Sequence, residues 1–384
     1  METDEQTADE GVHIAHVVHI EGRELPDEDI AVPELSSPSL PLRGVYLVSG
    51  LGLFVTALGL MKAGATGLVP ALEGSFLTDN AWSTLGFGWL GACLVMSGSP
   101  IAASALTLLD GGAIDRTSSF AMLTGSRLGA AFVVLVVGTI YALRKQEGDG
   151  RRAPISIGIL SLLMTMATYL PGAAIGLALL SSGSIDGLDV GTSPSISSAT
   201  DALFGWAVDL GRAVLPDWAL FPVGVVVLLA GFALFDRVLP AVSEHRLEER
   251  DDAWHERKWT MFLVGCGVCL LTLSVSVALT VLVPLVAKGY LRRANTLPYI
   301  AGANITTLAD TLVAAILLGN QDAVRVVVAV TVGVSTWTLL LLAVGYPLLR
   351  QACLATARLA LESRHRLAVF MGLLFLVPLT LIAI

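Results

Sequence analysis

The chain has 384 residues, 54% of them hydrophobic and only 14% charged, with a mean hydropathy of +0.76. A water-soluble domain of this length needs far more charged surface, so the composition excludes an ordinary soluble globular protein and makes lipid the solvent. The net charge of −9 sits at one end: residues 1–41 hold eleven Asp/Glu and one Arg, against 21 acidic and 22 basic residues in the remainder.

Residues 1–41 read as an acidic, Pro-containing cytoplasmic tail, with His13, His16 and His19 at three-residue spacing on a short amphipathic stretch. An acidic N-terminus is unlike a cleavable signal peptide. The first apolar span covers about Val45–Thr66. A hydrophobic stretch follows over Trp82–Leu109, interrupted by Ser97-Gly98-Ser99-Pro100, and then spans at about Ser119–Leu143 and Ile155–Leu180. A Ser/Gly/Asp-rich external loop leads through an interfacial helix, Leu203–Leu215, to a span at Leu220–Phe235. The charged run Ser243–Lys258 precedes a second interrupted stretch, Trp259–Ala287. Spans at Leu297–Leu318, Val326–Leu349 and Leu367–Ile384 complete the chain. Cys93, Cys266, Cys269 and Cys353 all fall in or beside apolar runs, where packing is the expected role.

Basic residues set the orientation. Loops 144–153, 237–258, 288–296 and 350–366 hold four, five, three and four Lys/Arg, whereas 110–118, 183–217 and 320–325 hold one each. With the rich loops on the cytoplasmic side, Trp82–Leu109 enters and leaves from outside, and Trp259–Ala287 enters and leaves from inside. Both stretches therefore read as re-entrant hairpins from opposite faces, the arrangement of an inverted repeat. Sliding the chain by 177 positions supports the same reading. It superposes Trp82 on Trp259, Gly88 on Gly265, Ser97 and Ser99 on Ser274 and Ser276, Arg116 on Arg293, and Gly125 on Gly302. Eleven identities fall across 82–136, against roughly five expected by chance.

The expected fold is all-α and polytopic: two inverted-topology repeats, each with a re-entrant hairpin, plus one extra C-terminal transmembrane helix. Repeat 1 spans 42–182 with hairpin 82–109, an external loop spans 183–217, and repeat 2 spans 218–350 with hairpin 259–287. The final helix lies in 351–384. The location is a cell membrane, crossed several times.

No nucleophile–base pair or metal-ligand cluster is in view, so an enzyme is not expected. The informative groups are polar residues inside apolar segments, each of which needs a partner. A hairpin turning within the membrane offers free amides at the start of its second half, and these attract anions. The substrate-binding candidates are thus Ser97, Gly98 and Ser99 in one tip and Ser274, Val275 and Ser276 in the other, with Arg127 as counter-charge to the anion. Asn304, Thr306, Thr307 and Asp310 supply oxygens suited to a hard monovalent cation. Arg127 takes the repeat position of Asn304, and its partner is expected to be a bound anion or Asp310.

Gly302-Ala303-Asn304-Ile305-Thr306-Thr307 resembles the Gly-Ala-Asn-Ile-Gly-Thr signature of the sodium/phosphate cotransporters. Leu282-Val283-Pro284-Leu285, with Gly289 after it, looks like the region following that family's second Gln-Ser-Ser-Ser motif. Leu108 to Gly129 is similar in layout to the same signature in the first repeat. The resemblance covers roughly 44–350. It implies a sodium-coupled symporter of phosphate or a related small oxyanion, working by alternating access around a site between the hairpin tips. The implied partners are phosphate or another small anion, sodium as the coupling ion (or a proton), and the lipid bilayer; neither a cofactor nor nucleic acid is implied. The departures are Ser97-Gly98-Ser99-Pro100 and Leu273-Ser274-Val275-Ser276 in place of Gln-Ser-Ser-Ser, and Arg127 in place of Asn. A carrier of another small solute, or a non-transporting scaffold, would keep the same fold.

Overall fold

The computed structural model describes residues 40–72, 75, 80–144, 152–187, 205–238 and 257–384. The acidic tail with its three histidines, and much of the basic loops over 144–153 and 237–258, lie outside these residues. The described residues form helices joined by turns, without a strand. The first half contains α1 (Leu40–Leu72), α2 (Ala81–Val95), α3 (Ser99–Asp110), α4 (Arg116–Ala130), α5 (Phe132–Arg144) and α6 (Arg152–Ser181). A helical segment over 205–214 precedes the second half. There follow α7 (Asp217–Val238), α8 (Lys258–Thr272), α9 (Val275–Thr280), α10 (Leu282–Ala287), α11 (Thr296–Thr306), α12 (Leu308–Leu318), α13 (Gln321–Leu340), α14 (Tyr346–Glu362) and α15 (Arg364–Ala383). Among the described residues seven helical stretches are long and apolar enough to cross a membrane, so the chain is a polytopic α-helical membrane protein.

Local chemistry sets several helix boundaries. The side chain of Asn80 caps α2 by accepting from the Ser83 amide at 2.8 Å, and Asp115 caps α4 by accepting from Ser118 at 2.7 Å. Asn320 and Ser363 do the same for α13 and α15. Pro100 lies in the first turn of α3, where its missing N–H costs no helix bond.

Close backbone approach organises the packing. The first long helices of the two halves, α1 and α7, run antiparallel. Gly50 faces Gly231 and Phe235, Gly64 faces Leu220 and Phe221, and Gly67 faces Asp217 and Trp218. Small residues let such backbones meet where the solvent offers no hydrophobic drive. In the first half α2 packs on α4: a Cβ on Gly88 would sit 2.2 Å from the Met122 carbonyl oxygen, and one on Gly125 2.1 Å from that of Leu85. In the second half α8 packs on α11 through Gly265 against Tyr299 and Gly302 against Phe262, each at 2.1 Å. Every residue in the second set lies 177 positions after its counterpart in the first. The same offset relates the bounds of α2 and α8, and the left-handed residues Met96 (φ 54) and Leu273 (φ 50) that end them. It also relates Gly112 (φ 75) and Gly289 (φ 86), where a positive φ calls for glycine.

Three boundaries differ from expectation. The stretch Ser119–Leu143 is two helices meeting at Ala131, and Leu297–Leu318 is two helices meeting at Thr307. The basic stretch 350–366, expected as a loop, is helical to Glu362. Cys353, Ala357 and Ala360 recur on the buried face of α14 while Arg350 and Arg358 point outward, so the basic residues mark a helix face.

Ion pairs bring together the three loops that are poor in basic residues. Arg116 pairs with Asp186 at 3.3 Å and with Asp322 at 2.9 Å, and Arg325 with Asp322 at 3.1 Å. Loops 110–118, 183–187 and 320–325 therefore meet. Lys258 donates to the Leu342 carbonyl at 2.9 Å, and the Tyr346 hydroxyl to the Ala294 carbonyl at 3.2 Å, so the junction before α14 touches one residue from each of the loops 237–258 and 288–296.

Candidate functional site

The helix breaks at Ala131 and Thr307 place the two buried charges. Arg127 falls in the last turn of α4, where backbone carbonyls carry partial negative charge, and Asp310 falls in the first turn of α12, where amides carry positive charge. Each charge thus lies at the helix end that favours it. Their side chains are 1% and 5% exposed, and Arg127 Nη2 stands 3.4 Å from Asp310 Oδ1. Of the two partners open to Arg127, the structure supplies Asp310.

Hydroxyls complete the cluster. Arg127 Nη1 donates to Thr307 Oγ1 at 3.0 Å, and Nη2 donates to Thr311 Oγ1. The Thr311 hydroxyl in turn donates to Asp310 Oδ1 at 2.8 Å. Asp310 Oδ2 and Arg127 Nε are buried without a hydrogen-bond partner among the described residues. The hydrogen-bond and ion-pair partners of the guanidinium are therefore oxygens, two hydroxyls and a carboxylate, from Thr307 at the break and from the first turn of α12.

Asn304 belongs to a neighbouring polar layer. Its Nδ2 donates to Thr165 Oγ1 at 3.1 Å and Thr168 Oγ1 at 3.3 Å, and its backbone carbonyl accepts from the Tyr169 hydroxyl at 2.7 Å. These partners line one face of α6, continued by Ser161, and all are nearly or fully buried. Thr306 does not face this layer; its hydroxyl bonds back to the Gly302 carbonyl at 3.1 Å, and it also lies beside Cys269.

The tips form the third group. Ser97-Gly98 turns between α2 and α3, and a Cβ on Gly98 would lie 2.8 Å from the carbonyl oxygen of Ser126, the residue before Arg127. The first tip thus abuts the helix end that carries the arginine. Gly98 is the N-cap of α3, and Ser99 and Val275 are buried. Ser274 caps α9, its hydroxyl accepting from the Val277 amide at 3.3 Å. Ser276 Oγ donates to the Met96 carbonyl at 3.4 Å, so the two tips, 180 residues apart in sequence, touch.

The structure thus joins Arg127, Thr307 and Asp310 in one cluster and Ser276 to the first tip, and it places Asn304 beside α6. Sequence reasoning missed Thr311, Thr165, Thr168 and Tyr169. The signal was present for Thr165 and Thr168: with Ser161 they recur at four- and three-residue spacing, a polar stripe along an apolar helix. Asp110 is another buried acid outside the expected set; it pairs with Lys62 at 2.9 Å and accepts from Asn320 at 2.8 Å. Among the described residues no cluster of His, Cys, Asp and Glu suits a metal ion of the transition series.

Residues 227–382 match the family model described as Na+/Pi-cotransporter. The match takes in most of α7 and nearly everything after it, including both tip serines of the second half, Asn304 and Asp310. No curated protein and no solved structure matches the chain.

Proposed function

We propose that this chain, whose residues 227–382 match the Na+/Pi-cotransporter family model, is a sodium-coupled symporter of inorganic phosphate or a related small oxyanion. The matched family carries sodium and phosphate, and the described residues hold seven helical stretches long and apolar enough to cross a membrane. The observation that carries the finer reading is the contact of Ser276 in the second tip with Met96 beside the first.

In this reading each half is an inverted copy of the other and each tip is a re-entrant hairpin. The repeated glycine contacts support the duplication, and the antiparallel pairing of α1 with α7 supports the inversion. Helices α2 and α8, at 15 residues each, extend only about 22 Å, short of the ~30 Å hydrocarbon core. The anion is held by Ser97, Ser99, Ser274, Ser276 and the amides of Gly98 and Val275. Asn304 and Thr306 are left for the coupling cation, because Thr307 and Asp310 hold the Arg127 guanidinium, the fixed counter-charge to the anion. Cation and anion cost less to bury together than singly, which couples their movement. Alternating access then exposes the tip region to one side at a time.

Uptake of radiolabelled phosphate into proteoliposomes holding the purified protein tests the reading. Accumulation driven by an inward sodium gradient is the expected result. Phosphate flux indifferent to sodium counts against the coupling, and sodium-driven flux of another anion alone counts against the cargo.

A further inference from the structure

The oxygens around the Arg127 guanidinium form a cation site in every respect but the identity of its occupant. Thr307 Oγ1 and Thr311 Oγ1 both present lone pairs to it, and Asp310 supplies the single negative charge. An all-oxygen set with one carboxylate is the donor chemistry of a hard monovalent cation. Arg127 comes from the other half of the chain, at the position 177 residues before Asn304, whose amide instead bonds to α6. With the arginine in place, the cluster is electrically balanced and a second cation has no reason to enter.

We propose that the Arg127 guanidinium is a built-in substitute for one alkali cation, occupying a site formed by Thr307, Asp310 and Thr311. The cluster is a sodium site filled permanently from within. The inference rests on the sodium-coupled reading only for its meaning in transport: the chain moves one sodium fewer per cycle than the same fold would with a neutral residue at position 127. Asp310 Oδ2, buried and unpartnered among the described residues, is a further oxygen that the planar guanidinium does not use.

Equilibrium binding of radioactive sodium to the purified full-length protein, with choline chloride as the control salt, tests this directly. Arg127→Asn is expected to bind one sodium per chain more than the wild type, whatever number the wild type binds. Arg127→Asn combined with Asp310→Asn is expected to lose that ion, and Arg127→Lys, which keeps the charge, to gain none. Equal stoichiometry in Arg127→Asn and wild type overturns the inference. A wild type that binds none beside a variant that binds one refutes sodium coupling and upholds the built-in cation, so the two failures are distinguishable. Removal of a buried charge can also unfold the protein. Arg127→Asn is therefore expected to stay monodisperse on gel filtration in sodium and to aggregate in choline; aggregation in both salts overturns the inference, because sodium then fails to replace the guanidinium.

Discussion

Gly302 lies so close to Phe262 that a methyl group on its α-carbon would sit 2.1 Å from the Phe262 carbonyl oxygen, with the Cys266 amide at 2.9 Å. The two helices that meet there carry opposite sides of the proposed site: α8 leads into a tip, and α11 ends at the break that presents Thr307 and Asp310. Gly302→Ala is expected to force α8 and α11 apart and to lower stability by about 1–3 kcal/mol, the usual cost of overpacking. Gly267, next to Cys266 but on the exposed face of α8, has open space where its Cβ would be. Gly267→Ala is expected to leave the melting temperature in detergent unchanged or raise it, since alanine favours helix by up to about 1 kcal/mol. A scan of the two variants side by side checks the contrast.

Asp310→Ala strands the Arg127 charge in a buried setting. A loss on the order of 3–5 kcal/mol is expected from breaking such a pair on one side only. The double variant Arg127→Ala with Asp310→Ala removes both charges and is expected to melt above Asp310→Ala alone. A lower melting temperature for the double variant would mean that the pair is not the source of the coupling.

Ser276→Ala removes a long, solvent-touched hydrogen bond to Met96, so little stability is at stake, below about 1 kcal/mol. If the tips hold the oxyanion, the same change deletes a donor to a charged ligand, which is worth roughly 1.5–3 kcal/mol. A rise of about tenfold or more in the KM for phosphate, with an unaltered melting temperature, is the expected outcome. Unchanged KM would place the anion elsewhere.

Cysteine accessibility tests the hairpins themselves. Trp82→Cys and Arg116→Cys, which flank the first tip, are expected to react with a membrane-impermeant maleimide from one face of sealed vesicles. Arg257→Cys and Lys288→Cys, which flank the second, are expected to react from the opposite face. Labelling of Trp82→Cys and Arg116→Cys from different faces would make α2 and α3 a single crossing and remove the inversion.

The glycine contacts paired at the 177-residue offset were legible because their signals are local. Gly88, Gly125, Gly265 and Gly302 stand where backbones must touch, and Ser97 and Ser274 stand where helices must stop. Arg127 announced itself as a charge in an apolar segment, and Asp310 was one of the two partners open to it. Thr311 was hidden because a threonine beside an aspartate in an apolar run normally bonds its own backbone, and nothing local shows that an arginine 184 residues away reaches it. The break at Thr307 was equally silent: no proline or glycine marks it. The helix through 350–362 was misread for the opposite reason, since four arginines over 350–366 looked like a loop until their spacing was set on a surface.

The glycine-lined pairing of α1 with α7 bears on how the protein is made. Gly67 emerges from the ribosome 150 residues before the Asp217 that it meets, a delay on the order of ten seconds at ordinary synthesis rates. Throughout that interval the small-residue face of α1 has only lipid or an assembly factor against it. Slowed translation or truncation between the two helices would leave a nascent chain whose first segment is inserted yet unmated, a species prone to degradation.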